Sequence, residues 1–293
     1  MIAAWVTDPV ARERLAAAVR DSGTRRARAA AILWCVTGDA LVAAVADGGA
    51  TAAVVELGDL DLGADRGESG VERVARALRE EYPVVPVLVY APLTAAASRA
   101  MVALGRAGVV NAIIAGHDDL RHALEPILAE AASVCVAEAA DARLSAVASS
   151  GVAEILNYAL RHGSVAPTVA DAARVLGVNR KTLAARCQSS GAPSPRVLVT
   201  WCRLIIAVER LIEHRWSAER VARALGFSSG STLTGLLKRH TGLTRPVLRE
   251  RGSGIVVEML VQRLADGRRR ADAIDRDAHA PAPTAGESPH GLT

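Results

Sequence analysis

The sequence predicts an α/β N-terminal domain, a doubly wound (βα)5 parallel sheet, joined to an all-α C-terminal domain. Three observations predict it. Five short apolar runs in residues 1–130 are each followed by a helical pattern, the alternation of a parallel sheet covered on both faces. Crossover handedness then favours the doubly wound form. From Gly151 to Gly252 every periodic stretch is helical and no strand pattern occurs. The charge also changes sign: residues 1–150 carry 14 Arg against 19 Asp and Glu, whereas residues 151–250 carry 15 Arg and Lys against 6 acids.

The strands expected are Ile2–Val6, Ala30–Val36, Val54–Leu57, Val84–Tyr90 and Val109–Ile114, each an apolar run bounded by turn residues. The helices between them are Arg12–Val19, Asp39–Ala46, Val71–Glu81, Ala95–Ala107 and a long one from Asp118. That last pattern continues to about Ser149, with Leu120, Leu124, Ile127, Ala131 and Val134 at three-to-four spacing, longer than a sheet needs. It is expected to run into a linker and to offer a dimer seam. Ser149, Ser150 and Gly151 mark a boundary. One more amphipathic helix follows Gly254, and the Pro- and Ala-rich tail from His279 is expected to be disordered.

Composition excludes several classes. A chain of 293 residues, 51% apolar but only 3% aromatic, builds its cores from Ala, Val, Leu and Ile. No apolar run approaches the roughly 18 residues of a spanning helix, so no membrane insertion is expected. Asp8 and Arg12 interrupt the first apolar stretch, which does not look like a secretory signal. Cys35, Cys135, Cys187 and Cys202 are far apart, arguing against a disulfide framework or zinc site and for a reducing cytoplasm. His117, His122, His162 and His214 lack ligand spacing, so no metal is expected. Cys187 and Cys202 sit in apolar patterns suited to packing rather than nucleophilic catalysis. No Gly-rich phosphate loop occurs, so Gly63–Gly70 reads as a plain loop, and neither a catalytic residue nor a cofactor is expected.

The basic block holds an internal repeat. Ala173-Arg-Val-Leu-Gly-Val-Asn179 recurs as Ala222-Arg-Ala-Leu-Gly-Phe-Ser228, 49 residues on. Each copy closes a short helix with Leu-Gly and offers Asn179 or Ser228 to cap another. Thr168 with Asp171 resembles a capping box, whereas Ser217 caps alone, assisted by Glu219. Helix, glycine turn, capped helix is the helix-turn-helix pattern. Between the copies, Arg196–Glu213 is apolar on most sides, with Arg196, Arg203 and Arg210 seven apart as one narrow polar stripe. Eighteen residues span roughly 27 Å, so this rod can hold two reading helices near the ~34 Å repeat of the major groove.

On these residues, together with Arg203-Leu-Ile-Ile-Ala207, Val221–Ser229, Ser231, Leu237-Lys-Arg239, Gly242 and Arg249, residues 165–250 resemble the double helix-turn-helix domain of the AraC/XylS transcription regulators. Arg245-Pro246 keeps the proline of that family's closing turn; Thr232-Leu233 and Leu237 stand where aromatics are usual. The resemblance implies a bacterial transcription regulator that reads bases from the second helix of each unit. In the first unit these are Asn179, Arg180, Lys181 and Thr182, with Ala184 further along. In the second they are Ser229, Gly230, Ser231, Thr234, Gly235, Lys238 and Arg239. The two lysines of the chain, Lys181 and Lys238, fall on these helices. Glycines cannot make bidentate base contacts, so the first unit is expected to read sequence and the second to anchor on the backbone.

The N-terminal half is similar to the receiver domain of bacterial response regulators, through Asp8-Pro9, Pro86-Val-Leu-Val and Ala107-Gly108. The phosphorylation chemistry implied by that family looks absent. Val6-Thr7 stand at its acidic pair, Glu56 at the phosphoacceptor, Ala91 at the hydroxyl residue and Ala115 at the lysine; Asp8 offers one metal ligand at most. Glu56 thus reads as a degenerate phosphoacceptor position. The expected organisation is a pseudo-receiver over 1–133, a helical linker over 134–150, the reader over 151–252, a C-terminal helix over 253–278 and a tail over 279–293. Expected partners are double-stranded DNA, a second copy in a homodimer, an RNA polymerase contact and a small-molecule or protein effector at the N-terminal domain. Two other readings stay open: a protein–protein interaction module that has lost specific DNA binding, and a DNA-repair enzyme fused to an AraC-type domain. The second would bring a four-cysteine metal cluster, which the N-terminal half lacks.

Overall fold

Alternation within each strand builds the first half. In a computed structural model of the chain, which describes residues 1–21, 32–58, 69–109, 111–116, 118–163, 166–212, 214 and 216–278, five strands pair in the order β2-β1-β3-β4-β5, all parallel. They are β1 (Ile2–Trp5), β2 (Ile32–Trp34), β3 (Ala52–Glu56), β4 (Val87–Pro92) and β5 (Asn111–Ala115). Side chains of even number, Ile2, Ala4, Val54, Leu88 and Tyr90, enter one buried cluster; Ala3, Ala53, Val55, Val87 and Val89 enter another. Both faces are therefore apolar, and helices must cover both. Helices α2 (Gly38–Ala46), α3 (Gly70–Glu81) and α4 (Ala95–Arg106) close one face, α1 (Pro9–Asp21) and α5 (Leu120–Ser145) the other. Thr37, Ser69 and Thr94 start α2, α3 and α4, each side-chain oxygen accepting from the N–H three residues on. The doubly wound α/β architecture is as the sequence predicts.

Helix α5 runs for 26 residues and contains Pro126, which is exposed and removes one ladder bond. Leu120, Leu124 and Ala131 are buried against the sheet. The stripe expected to offer a dimer seam is therefore covered by the chain's own sheet and α1. Further along, Ala129, Val136, Ala137, Ala140 and Leu144 belong to the core of the helical half. Residues 134–150 are thus the end of α5 and a short turn, packed rather than spanning open space.

Eight further helices complete the described residues: α6 (Ser150–Arg161), α7 (Val169–Val175), α8 (Arg180–Ser189), α9 (Pro195–Ile212), α10 (Ala218–Ala224), α11 (Gly230–Thr241), α12 (Arg245–Arg251) and α13 (Gly254–Ala278). Helix α9 is the axis: Leu198, Trp201, Leu204, Ile205, Val208 and Leu211 are all buried. Arg210 corrects the expected polar stripe. It is 4% exposed, its Nε donating to Ser133 Oγ (3.1 Å) and its Nη2 pairing with Glu130 (2.8 Å), both on α5. Arg203 is half-buried beneath the second glycine turn, so of the three arginines Arg196 alone is exposed. Residues 279–293, His117 and most of the Gly63–Gly70 loop lie outside the described residues.

Candidate nucleic-acid interface

The two repeats fold alike up to their turns. Gly177 and Gly226 take positive φ (65° and 66°), a conformation glycine adopts without a side-chain clash. The bonds that close the turns are offset by 49: Val178 N–H to Ala173 O (2.9 Å) and Phe227 N–H to Ala222 O (2.8 Å). Arg203 of α9 pins the second turn, its Nη2 donating to Leu225 O at 2.6 Å and its guanidinium lying 4.0 Å from the Phe227 ring centroid. Burial lowers the pKa of this guanidinium from its ordinary value.

Past the turns the units diverge by one residue. Asn179 caps α8, its Oδ1 accepting from Thr182 N–H (2.8 Å) and Thr182 Oγ1 (3.1 Å). In the second unit the cap is Ser229, whose Oγ accepts from Thr232 N–H at 3.1 Å. This corrects the expectation that Ser228 caps; its hydroxyl instead meets Thr232 Oγ1 at 3.0 Å. The reason is packing. Phe227 is buried where Val178 is only half-buried, and the longer turn carries the chain past it before the helix starts. Equivalent positions of α8 and α11 are therefore 50 apart, Lys181 matching Ser231 and Gln188 matching Lys238.

Helices α8 and α11 each turn one face inward and one outward. Leu183 and Cys187 of α8, and Leu233 and Leu237 of α11, are buried. Burial pushes the Cys187 thiol up to about 11 and that of Cys202 upward as well, so neither carries an activated thiolate. Outward, α8 presents exposed Arg180, Lys181, Ala184 and Gln188, and α11 presents Ser231, Gly235, Lys238 and Arg239. Asn179 and Thr182 spend hydrogen-bonding capacity on each other. Thr234 is half-buried, its hydroxyl donating to the Gly230 and Ser231 carbonyls (both 3.0 Å). The sequence pattern does not single out Gln188, which lies seven residues, two turns, beyond Lys181. Arg186 is held away by Glu154 of α6 at 2.7 Å.

The supporting helices are also capped. Thr168 Oγ1 accepts from Asp171 N–H (3.1 Å) and donates to its carboxylate (2.6 Å). That hydroxyl, with the Arg174 guanidinium 2.5 Å away, holds the Asp171 carboxyl below the usual carboxylate range. Ser217 caps α10 through Arg220 N–H (3.1 Å). Glu219 reaches across to accept from Gly230 N–H at 2.8 Å, an anion at a helix N-terminus.

In the first half, strand order reverses between β1 and β3, and the crevice lies at their C-terminal ends. Glu56 sits there. Its Oε2 accepts from Thr7 N–H (2.5 Å), Thr7 Oγ1 (2.8 Å) and Asp8 N–H (3.0 Å). Asp8 is itself turned back to cap α1, accepting from Val10 N–H (3.0 Å) and Ala11 N–H (3.2 Å). Ala91 and Ala115, at the ends of β4 and β5, pair Ala91 with Ile114 and Pro92 with Ala115.

Residues 172–251 match the family model of a helix-turn-helix domain. The match supports a DNA-binding transcription regulator and covers both units from the body of α7 to the end of α12. Full-length FixJ from B. japonicum is a similar solved structure, 16% identical over 83% of this chain and 98% of that one, with a TM-score of 0.33. The architecture described above stands on the strands and helices themselves. No curated protein matches the chain. No helix among the described residues is long and apolar enough to cross a membrane.

Proposed function

We propose that the chain is a sequence-specific DNA-binding transcription regulator of the AraC/XylS type, whose receiver-like N-terminal domain works without phosphorylation. The observation that carries the first part is the pair of capped helices, α8 and α11, each with an outward polar face, mounted on the single buried rod α9. Arg180, Lys181 and Gln188 are suited to base edges and phosphates. Lys238 and Arg239 are suited to phosphates, and Ser231 to a backbone or base contact. Asn179, Thr182, Ser229 and Thr234 act by holding the helices in shape.

Independence from phosphorylation is supported by Glu56. Its carboxylate is engaged by the Thr7 and Asp8 donors, and alanines stand where a hydroxyl and a lysine are needed. With the regulator reading we also propose that the protein works in the cytoplasm as a homodimer, answers to an effector and contacts RNA polymerase. Selection of bound duplexes from a randomised pool by the full chain tests it. Enrichment of two half-sites about one helical turn, ~10 base pairs, apart is expected. Enrichment of nothing above non-specific binding would leave an interaction module instead. Acetyl phosphate with magnesium should leave intact mass and affinity unchanged; a gain of one phosphoryl group would end the pseudo-receiver reading.

A further inference from the structure

A cavity of about 630 Å³ lies where the two halves meet, within the range of small-molecule sites. The N-terminal ends of β1 and β3 form one wall through Ile2 and Ala52, joined by Val85 just before β4, at the edge opposite the Glu56 crevice. Helix α5 forms the floor, its small side chains Ala132, Ala139 and Ala140 leaving the space open. The helical half closes it with Glu209, Ser253 and Val257.

Among the described residues, the arginines at the cavity are already matched. Glu125 Oε1 accepts from Trp216 Nε1 (2.8 Å) and Arg220 Nη1 (3.0 Å). Arg143 pairs with Glu258 at 3.6 Å, and Glu209 accepts from Ser253 Oγ at 3.1 Å. An anionic ligand would be desolvated without gaining a counter-ion, and the mostly apolar lining offers little to any other ion. We infer that this cavity binds an uncharged, mostly apolar small molecule, and that its occupancy is the signal the regulator reads. The second clause rests on the regulator reading; the first does not. Glu125 connects the two. It touches the cavity and grips Arg220, whose neighbour Glu219 holds the first residue of reader α11. A ligand that moves Glu125 therefore acts on the start of α11.

The test uses the full chain and Nile red, an uncharged apolar dye. Saturable one-to-one uptake is expected, with no competition from the anionic dye anilinonaphthalene sulfonate. Ala139→Phe, which fills the floor, should weaken uptake at least tenfold. So should Val84→Trp at the exposed mouth, which leaves the core untouched and decides the matter if the first variant does not fold. No saturable uptake, or wild-type uptake by a variant that melts like wild type, overturns the site; competition by the sulfonate overturns the assignment of an uncharged ligand. Affinity for random-sequence DNA at low salt is measured separately, with and without dye. A change of threefold or more supports the signalling clause, and no change overturns it. Failure to bind DNA without dye overturns the regulator reading and leaves the cavity site standing.

Discussion

Glu219 and Gly230 meet side chain to backbone: the carboxylate accepts from the N–H at 2.8 Å, and a Cβ built on Gly230 would lie 2.8 Å from Glu219 N and 2.9 Å from the Ala218 carbonyl carbon. Glycine is needed there because two helix starts touch. Helix α11 is thus seated on α10 by close backbone approach. Gly230→Ala should cost about 1–3 kcal/mol by overpacking and weaken binding to a selected operator. Chemical denaturation and a binding titration check it. A variant as stable as wild type would show that the helices can separate freely.

The outward faces predict a division of labour. Arg180→Ala should cost about 1–3 kcal/mol on a specific site and relax the preference there, and Gln188→Ala should act in the same sense. Lys238→Ala should weaken all sequences alike and make the salt slope shallower by about one unit. Titrations on specific and scrambled duplexes across several salt concentrations separate the two behaviours. Loss of preference in Lys238→Ala alone would exchange reader and anchor.

Arg210 and Glu130 tie the rod α9 to α5. Glu130→Ala strands a buried guanidinium with Ser133 and the Trp216 ring, 5.4 Å away. The loss should be about 2–3 kcal/mol, below the cost for fully buried pairs because Glu130 is half-exposed. Arg210→Met, which removes the charge and keeps the volume, should cost less. Urea melts of both variants give the comparison, and the reverse ranking would make the pair a net contributor.

His240, at the end of α11, packs edge-on to Trp201. Burial first, then Arg263 and Arg239, hold its imidazole below the ordinary 6.5; Asp266 and Arg270 line the same cleft. The unfolded chain takes up the proton more readily, so this contribution is fully present above about pH 6.5 and is lost as pH falls through the folded value. His240→Gln should flatten the acid side of a melting-temperature profile. An unchanged profile would move the effect elsewhere.

What was legible in the sequence followed from local pattern. Alternation and apolar runs place β1 at Ile2–Trp5 against an expected Ile2–Val6, and α2 at Gly38–Ala46 against Asp39–Ala46. Ser229 was not told from Ser228 as the cap because both are good caps; the choice depends on how deeply Phe227 packs. The repeat does not single out Gln188 because it runs at 49, whereas α8 and α11 align at 50. Arg210 looked like solvent-facing polarity because its partners lie 77 and 80 residues away, beyond any helical periodicity.

Helix α5 is a wall common to two rooms. Its first half closes the sheet through Leu120 and Leu124, and its second half closes the helical core through Val136, Ala140 and Leu144. A fragment beginning at residue 151 leaves the helical core without its neighbours on α5. One ending at residue 133 cuts α5 in mid-length, and one ending at residue 150 carries an apolar flank with nothing to cover it. The chain should therefore melt in one cooperative step, and a protease should find no scissile seam between α5 and α6 that releases two stable pieces. The two halves are joined by a beam rather than a tether, so whatever bends that beam is felt at both ends at once.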